Sequence, residues 1–148
     1  MNPSSASGAI VQEITIKASA ERVFEALTNP EQRMKWWGME GRFQTTGMES
    51  DLRPGGKWSM HGNGVGGRPF VVKGVYQQIE RPRLLVFTWL PNWQESEEES
   101  VVRVELEERN GVTTVRLTHS GLSQQGRESH RGWPQILEWL QAFVENQR

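Results

Sequence analysis

Apolar and polar residues alternate along the first part of the chain in a way that predicts a strand followed by a helix. Between Ala9 and Lys17 the isoleucines share one parity and mostly polar residues occupy the other, as in a half-buried strand. Ser19 is a favoured N-cap residue, and apolar residues recur at helical spacing from there to Leu27. We therefore expect the chain to begin with a strand and a helix.

A second helix start follows at once. Asn29-Pro30-Glu31 provides an N-cap, a proline with a helix-compatible φ and a first-turn carboxylate, in the order that helix N-termini favour. Trp36-Trp37-Gly38 predicts its end, because glycine tolerates the left-handed conformation that closes many helices. This second helix is expected to be short.

The middle of the chain carries strand patterns separated by turn residues. Pro54-Gly55-Gly56 and the glycine-rich stretch 62–67 predict connections, Pro82 predicts a break, and Asn110-Gly111 is a strong signal for a tight hairpin. The segment 62–67 lacks the lysine and following helix of a phosphate-binding loop, so we interpret it as a hairpin connection. The predicted strands are 43–53, 57–61, 68–80, 84–90, 100–108 and 112–119.

The last part of the chain predicts an amphipathic helix. Apolar residues from Trp133 to Val144 recur at helical spacing and form one broad stripe. Pro134 leaves two alternatives, since proline is unfavourable inside a helix. The helix begins near Trp133, or it begins near Gln124 and kinks, and we favour the kinked form because 124–131 is compatible with a helix.

This order of elements predicts an α+β domain. We expect a curved antiparallel sheet of about seven strands around a long C-terminal helix, with the region 123–146 crossing its concave face and two short helices after the first strand. Residues 9–148 would form the single domain, after a disordered lead-in of residues 1–8. Where a curved sheet and one helix do not fill their shared inner face, a cavity remains.

Composition excludes several classes of function. The formal net charge is −1 with 24% charged residues, so the chain has no broad basic field for nucleic acid or an anionic membrane. No apolar run is long enough for a membrane span, and the N-terminus lacks the features of a signal peptide. We therefore expect a cytoplasmic protein that contains no membrane span and does not bind nucleic acid.

The chain offers little catalytic or metal-binding chemistry. There is no cysteine, and His61, His119 and His130 lack the spacing and companion carboxylates of a zinc site. No Gly-x-Ser-x-Gly motif is present. We expect no metal and no cofactor, and we lean against an enzyme. If the protein is an enzyme, His130 is the candidate catalytic residue, because it precedes Gly132-Trp133 and could reach the rim of the pocket.

Large apolar side chains define the expected pocket. Seven tryptophans accompany a single tyrosine, and an indole suits either a core or a wall that faces a ligand. Tyr76 is the expected polar anchor, since a buried hydroxyl needs a hydrogen-bond partner. The residues predicted to line the pocket are Trp36, Trp37, Trp58, Met60, Val72, Tyr76, Phe87, Trp89, Trp133 and Leu137.

Several short motifs recur in a recognisable order along the chain. The segments are 23–31 with Trp36-Trp37, 51–56 with Trp58, 74–76, 82–89, 114–119, 121–122 and 130–133. Together they resemble the START-related, Bet v 1-like helix-grip (SRPBCC) superfamily, and more narrowly the group similar to the C-terminal domain of the activator of heat-shock-protein-90 ATPase. The resemblance covers about residues 10–143 and implies a helix-grip fold with a hydrophobic pocket between helix and sheet.

The resemblance leaves more than one function open, because this fold supports several. The function we expect is binding of a small hydrophobic or aromatic molecule in the cavity. The alternative is a cofactor-free cyclase, dehydratase or hydrolase that acts on a polyketide-like substrate there. Chaperone binding is not implied, because chaperone activators carry a separate N-terminal domain for which this chain has no room. The protein would be a monomer or a homodimer.

Overall fold

A computed structural model describes residues 9–39, 43–92, 99–122 and 132–146. Within these residues, eight strands form one sheet in which every neighbouring pair is antiparallel. The order in the sheet is β1-β8-β7-β6-β5-β4-β3-β2, so the first strand joins the sheet through the last. The strands are β1 (Ile10–Ile16), β2 (Gly38–Met39), β3 (Phe43–Ser50), β4 (Lys57–Asn63), β5 (Pro69–Glu80), β6 (Leu84–Pro91), β7 (Ser100–Arg109) and β8 (Val112–Ser120).

Three α-helices accompany the sheet in the described part of the chain. Helix α1 spans Ala20–Thr28, α2 spans Pro30–Trp36 and α3 spans Trp133–Glu145, and a single 3₁₀ turn covers Val65–Gly67. The oxygen of the Ser19 side chain accepts a hydrogen bond from the backbone of α1, as its N-cap role predicts.

Helix α3 is fixed to the start of the chain as well as to the sheet. Its buried side chains, Trp133, Leu137, Leu140 and Val144, belong to the same core cluster as residues of β4 to β8. Arg22 Nη2 in α1 donates to the carbonyl of Val144 at 2.9 Å. The backbone amide of Lys17, just after β1, donates to the carboxylate of Glu145 at 2.9 Å. These contacts place α3 across the sheet, close to α1.

The Asp51–Gly56 turn is attached to β5 beside Tyr76. Gly55 N donates to Tyr76 O at 2.7 Å, and Tyr76 N donates to Gly56 O at 2.9 Å. Gly55 has a φ of 85°, and a Cβ on Gly56 would lie 1.9 Å from Asp51 O, so both positions require glycine. Arg53 and Asp51 pair on the exposed side at 2.7 Å. This motif therefore serves the turn and its attachment to β5, which is the structural role expected from turn chemistry.

The predicted fold is confirmed: an α+β domain with two short helices after β1 and a C-terminal helix packed on an antiparallel sheet. Asn110 and Gly111 take φ values of 54° and 80°, as the predicted hairpin turn requires. The structure adds the two-residue strand β2 to the seven that were expected. It also extends β4 to Asn63, and Gly62 permits the close approach of β3 there, since a Cβ would lie 1.9 Å from Gln44 O. Helix α3 begins at Trp133, and the segment 124–131 of the kinked alternative lies outside the described residues.

Candidate functional site

Eight rings from four strands and from the helices α2 and α3 meet between the sheet and these two helices. All are buried, and we call them the aromatic cluster. Their direct contacts span ring-centroid distances from 5.3 to 6.4 Å, mostly in tilted or edge-to-face geometry. The members are Trp36, Trp37, Trp58, Tyr76, Phe87, Trp89, His119 and Trp133.

Trp89 is central to the aromatic cluster. Its ring lies 5.4 Å from that of Trp133, 5.8 Å from that of Trp58 and 6.2 Å from that of Trp37. Strands β4 and β6, helix α3 and the end of α2 therefore meet at one side chain. Alternation along β6 points Trp89 and Phe87 to the same face of the sheet, where both contact Trp58.

A chain of hydrogen bonds runs through the aromatic cluster. The indole Nε1 of Trp133 donates to Nδ1 of His119 at 3.1 Å. The other ring nitrogen of His119, Nε2, lies 2.7 Å from Oγ of Ser100, and that hydroxyl donates to the carbonyl of Trp89 at 3.2 Å. Because an indole N–H can only donate, Nδ1 accepts and the proton of the neutral imidazole lies on Nε2. His119 is thereby a donor to Ser100.

This direction of the hydrogen bonds bears on the hydrolase alternative. A serine nucleophile needs a base that accepts its proton. Here Nε2 of His119 donates to Ser100, and the serine hydroxyl in turn donates to a backbone carbonyl. The arrangement orients a buried histidine and lends no support to a Ser-His nucleophile.

Tyr76 provides a second buried polar group. Its hydroxyl lies 2.6 Å from Oγ of Ser50, and its ring contacts Phe87 at 6.4 Å. Burial raises the pKa of the Tyr76 phenol, while the hydrogen bond with Ser50 and the charge of Arg33 oppose that shift. The phenol is therefore neutral at physiological pH.

The structure also places a charged residue beside the aromatic cluster, which the sequence analysis missed. Arg33 in α2 is only 4% exposed, and its guanidinium carbon lies 4.2 Å from the centre of the Trp37 ring. Its Nη1 donates to the carbonyl of Leu27 at 2.8 Å, while its buried Nε has no hydrogen-bond partner in the described part of the chain. Burial lowers the pKa of Arg33 to about 10, so the side chain remains a cation at neutral pH.

A sequence signal for Arg33 was available. It lies three and four residues before Trp36 and Trp37, and residues at that spacing share one face of a helix. A cation on the same face as two tryptophans breaks the amphipathic pattern of α2. Such a break is informative, because a charged side chain is rarely buried without a reason.

All ten residues predicted to line the pocket come together in one buried core cluster. None is more than 5% exposed. Seven of them carry the rings of the aromatic cluster, and Met60, Val72 and Leu137 pack in the same core. Their role in binding a ligand stays a prediction, and so does a catalytic role for His130, which lies outside the described residues.

Other candidate chemistry lies away from the aromatic cluster or is weak. His61 is exposed on β4. No group of three or more metal-ligating side chains occurs in the described parts of the chain. A surface cleft of about 410 Å³ lies over β4 and β5, and its charged lining residues are Lys57, Lys73, Glu49 and Glu99. It shares only the buried Trp58 with the predicted lining residues.

The sequence profile of the family described as Activator of Hsp90 ATPase homolog 1-like protein matches residues 17–145. The chain belongs to this family. The solution structure of the AHSA1-like protein from Aeromonas hydrophila is 25% identical, with a TM-score of 0.76 over 93% of this chain and 92% of that one. No curated protein matches the sequence.

Further members of this fold are more distant in sequence. A crystal structure from Chromobacterium violaceum is 21% identical, with a TM-score of 0.82 over 95% of this chain and 99% of that one. CalU16 from Micromonospora echinospora is 24% identical, with a TM-score of 0.69 over 93% and 76% of the two chains. These likenesses establish the fold of this AHSA1-like protein. None of its described helices is long and apolar enough to cross a membrane.

Proposed function

We propose that this AHSA1-like protein binds a small hydrophobic or aromatic molecule between the sheet and α3, in contact with the aromatic cluster. The observation that carries the proposal is the gathering of eight buried rings from α2, α3 and four strands at one place. Aromatic rings offer large apolar contact area together with preferred stacking geometries. The fold typically encloses a hydrophobic cavity at this position, which supports the same conclusion.

Unsatisfied donors inside the core support a binding site over simple packing. The buried indole Nε1 of Trp58 and the buried Nε of Arg33 have no hydrogen-bond partner among the described residues. Buried polar groups are nearly always paired, because leaving one unpaired costs about 1–3 kcal/mol. A ligand that is mainly apolar and carries an acceptor would satisfy such groups and gain orientation from them.

The proposal is tested by titrating the protein with neutral probes and following tryptophan fluorescence and heat. Naphthamide represents aromatic compounds, and decanol represents acyl chains. We expect saturable binding of at least one probe, since burying apolar area releases roughly 25 cal/mol per Å². Replacing Trp58 with phenylalanine should weaken that binding, because the ring contributes both area and its free N–H.

Trp139→Phe is the matched control. Trp139 is a partly buried indole on α3 that packs against the core and is not a member of the aromatic cluster. Its replacement should leave affinity unchanged. Absence of saturable binding by either neutral probe would overturn the proposed function. Equal losses in both variants would place the bound probe away from the cluster.

A further inference from the structure

Arg33 is buried and has no anionic partner among the described residues. None of the ion pairs of the described residues includes Arg33. The pKa of Arg33 is lowered by burial, and the group that opposes this shift is Tyr76, which is neutral at physiological pH. A buried charge is strongly unfavourable unless it is paired and hydrogen-bonded. The position of Arg33 therefore requires an explanation.

Contacts within the protein compensate only part of this charge. Leu27 O, in the last turn of α1, accepts from Nη1 at 2.8 Å, and carbonyls at a helix C-terminus carry the negative end of the helix dipole. The face of Trp37, 4.2 Å from the guanidinium carbon, adds a cation–π contact. These two contacts lie on one side of the guanidinium and fix its orientation.

The opposite side of the guanidinium, formed by Nε and Nη2, makes no hydrogen bond within the described residues. Nε and Nη2 direct two parallel N–H groups along one edge, which matches the two oxygens of a carboxylate. Nε is buried without a partner, and the one hydrogen bond of this side chain within the described residues is that of Nη1. An edge with this geometry, beside aromatic rings, suits a molecule with a carboxylate on an apolar body.

Helix α2 holds Arg33 in place for this role. Arg33 N donates to Asn29 O at 2.8 Å, and the Asn29 side chain accepts from the backbone amides of Glu31 and Gln32. Trp37 follows at the end of the helix, with its backbone amide bonded to Arg33 O at 3.0 Å. The guanidinium and its aromatic platform are therefore parts of one short rigid element.

We infer that the ligand of this protein is a small aromatic or acyl monocarboxylate and that Arg33 binds its carboxylate through Nε and Nη2. The inference rests on the proposed function, because the apolar body of the ligand would contact the aromatic cluster. It goes further in assigning the charge and the orientation of the ligand: the carboxylate points toward α2, and the apolar body points toward β6 and α3.

The test compares probes that differ in one group. Naphthoate is paired with naphthamide, and decanoate with decanol, each titrated by calorimetry into the wild type and into Arg33→Leu and Arg33→Lys variants. In the wild type we expect each carboxylate to bind at least ~10-fold more tightly than its neutral counterpart, as for a charge-assisted bidentate pair. In Arg33→Leu this preference should vanish, while neutral probes bind at least as well as before.

The Lys variant separates geometry from charge. Lysine restores a cation but cannot present two parallel N–H groups, so it should recover only part of the preference for carboxylates. Thermal unfolding of the same variants checks the fold. Arg33→Leu should unfold at a temperature close to that of the wild type, because losing the hydrogen bond to Leu27 O is offset by removing a buried charge that is only partly compensated.

The outcomes for the two proposals differ. Equal binding of carboxylates and neutral probes by the wild type would overturn the role of Arg33 and leave the proposed function standing. A preference that persists in Arg33→Leu would also overturn it. Failure of every probe to bind would overturn the proposed function itself and this inference with it.

Discussion

At the scale of single residues, the core of this protein combines aromatic packing with a few deeply buried polar groups. His119 is fully satisfied, with a donor on one ring nitrogen and an acceptor on the other. Within the described residues, the Tyr76 hydroxyl has one hydrogen-bond partner, Ser50, and the Arg33 side chain makes one hydrogen bond, through Nη1. Within the described residues these groups range from the fully hydrogen-bonded His119 to the partly compensated Arg33, on which the proposed carboxylate site rests.

Tyr76 should titrate abnormally, and it is the only tyrosine of the chain, so tyrosinate absorbance reports it alone. Burial raises its pKa in the folded state. In the unfolded chain the Tyr76 phenol loses its proton near pH 10, whereas in the folded protein it does so at a higher pH. The protonated phenol therefore contributes its full stabilisation below pH ~10, and this stabilisation is lost as the pH rises through the folded-state pKa. A pH titration of native and urea-unfolded protein should show the native curve displaced to higher pH.

Tyr76→Phe provides the corresponding stability test. The free energy of unfolding is measured in urea at successive pH values. Above pH ~10 it should fall less steeply for the variant than for the wild type, because the variant has no phenol to ionise. At neutral pH the lost hydrogen bond with Ser50 should lower that free energy by about 1 kcal/mol. Coincident native and unfolded titration curves would contradict the assignment.

At the scale of elements, the junction between α1 and α2 positions the charged side of the site. Asn29 ends α1 and begins α2: its Oδ1 accepts from Glu31 N at 2.9 Å, and its Nδ2 donates to the carboxylate of Glu25 at 2.8 Å. That hydrogen bond is the main cause of a lowered pKa for Glu25, followed by its hydrogen bond to Arg81. One side chain therefore sets where α2 begins, and with it the position of Arg33.

Asn29→Ala should destabilise the protein by ~1 kcal/mol, the usual effect of losing an N-cap side chain. Asn29→Ser is the control, because a serine oxygen can still accept from the first amides of α2. Urea unfolding of the two variants measures the difference. Equal stabilities of the alanine and serine variants would show that the cap does not stabilise the start of α2.

At the scale of the whole molecule, one core joins the two ends of the chain. Strand β1 pairs with β8 from Ile10 opposite His119 to Ile16 opposite Thr113, and α3 packs beside it. Residues from α1, α2, α3 and most strands contribute to a single hydrophobic cluster. Because the termini of the domain are built into this core, no part of the described fold has a core of its own.

Unfolding should therefore be a single cooperative transition, with tryptophan fluorescence and far-ultraviolet circular dichroism giving the same midpoint in urea. Leu140→Ala should lower the free energy of unfolding by ~2–5 kcal/mol, because Leu140 on α3 is fully buried. Val11→Ala is the control: its side chain is 48% exposed, and its replacement should change stability by less than ~0.5 kcal/mol. Separate midpoints for the two probes would contradict the single core.

Much of this architecture was determined by local sequence patterns. The Asn29-Pro30 helix start, the Asn110-Gly111 hairpin and the apolar stripe after Trp133 each act within a few residues, so periodicity and turn chemistry were sufficient to predict them. Strand ends were less certain. Strand β4 continues through Gly62, where β3 approaches so closely that only glycine fits, and no local rule contains that information.

The contents of the core were decided by tertiary structure. Sequence patterns identified the apolar residues that would be buried, since burial follows from periodicity. The hydrogen bond from Trp133 to His119 joins α3 to β8, and the Arg33 guanidinium bonds a carbonyl of a neighbouring helix. Hydrogen bonds and charge compensation depend on atoms brought together from different elements, so only the folded chain determines which buried polar groups are satisfied within the protein.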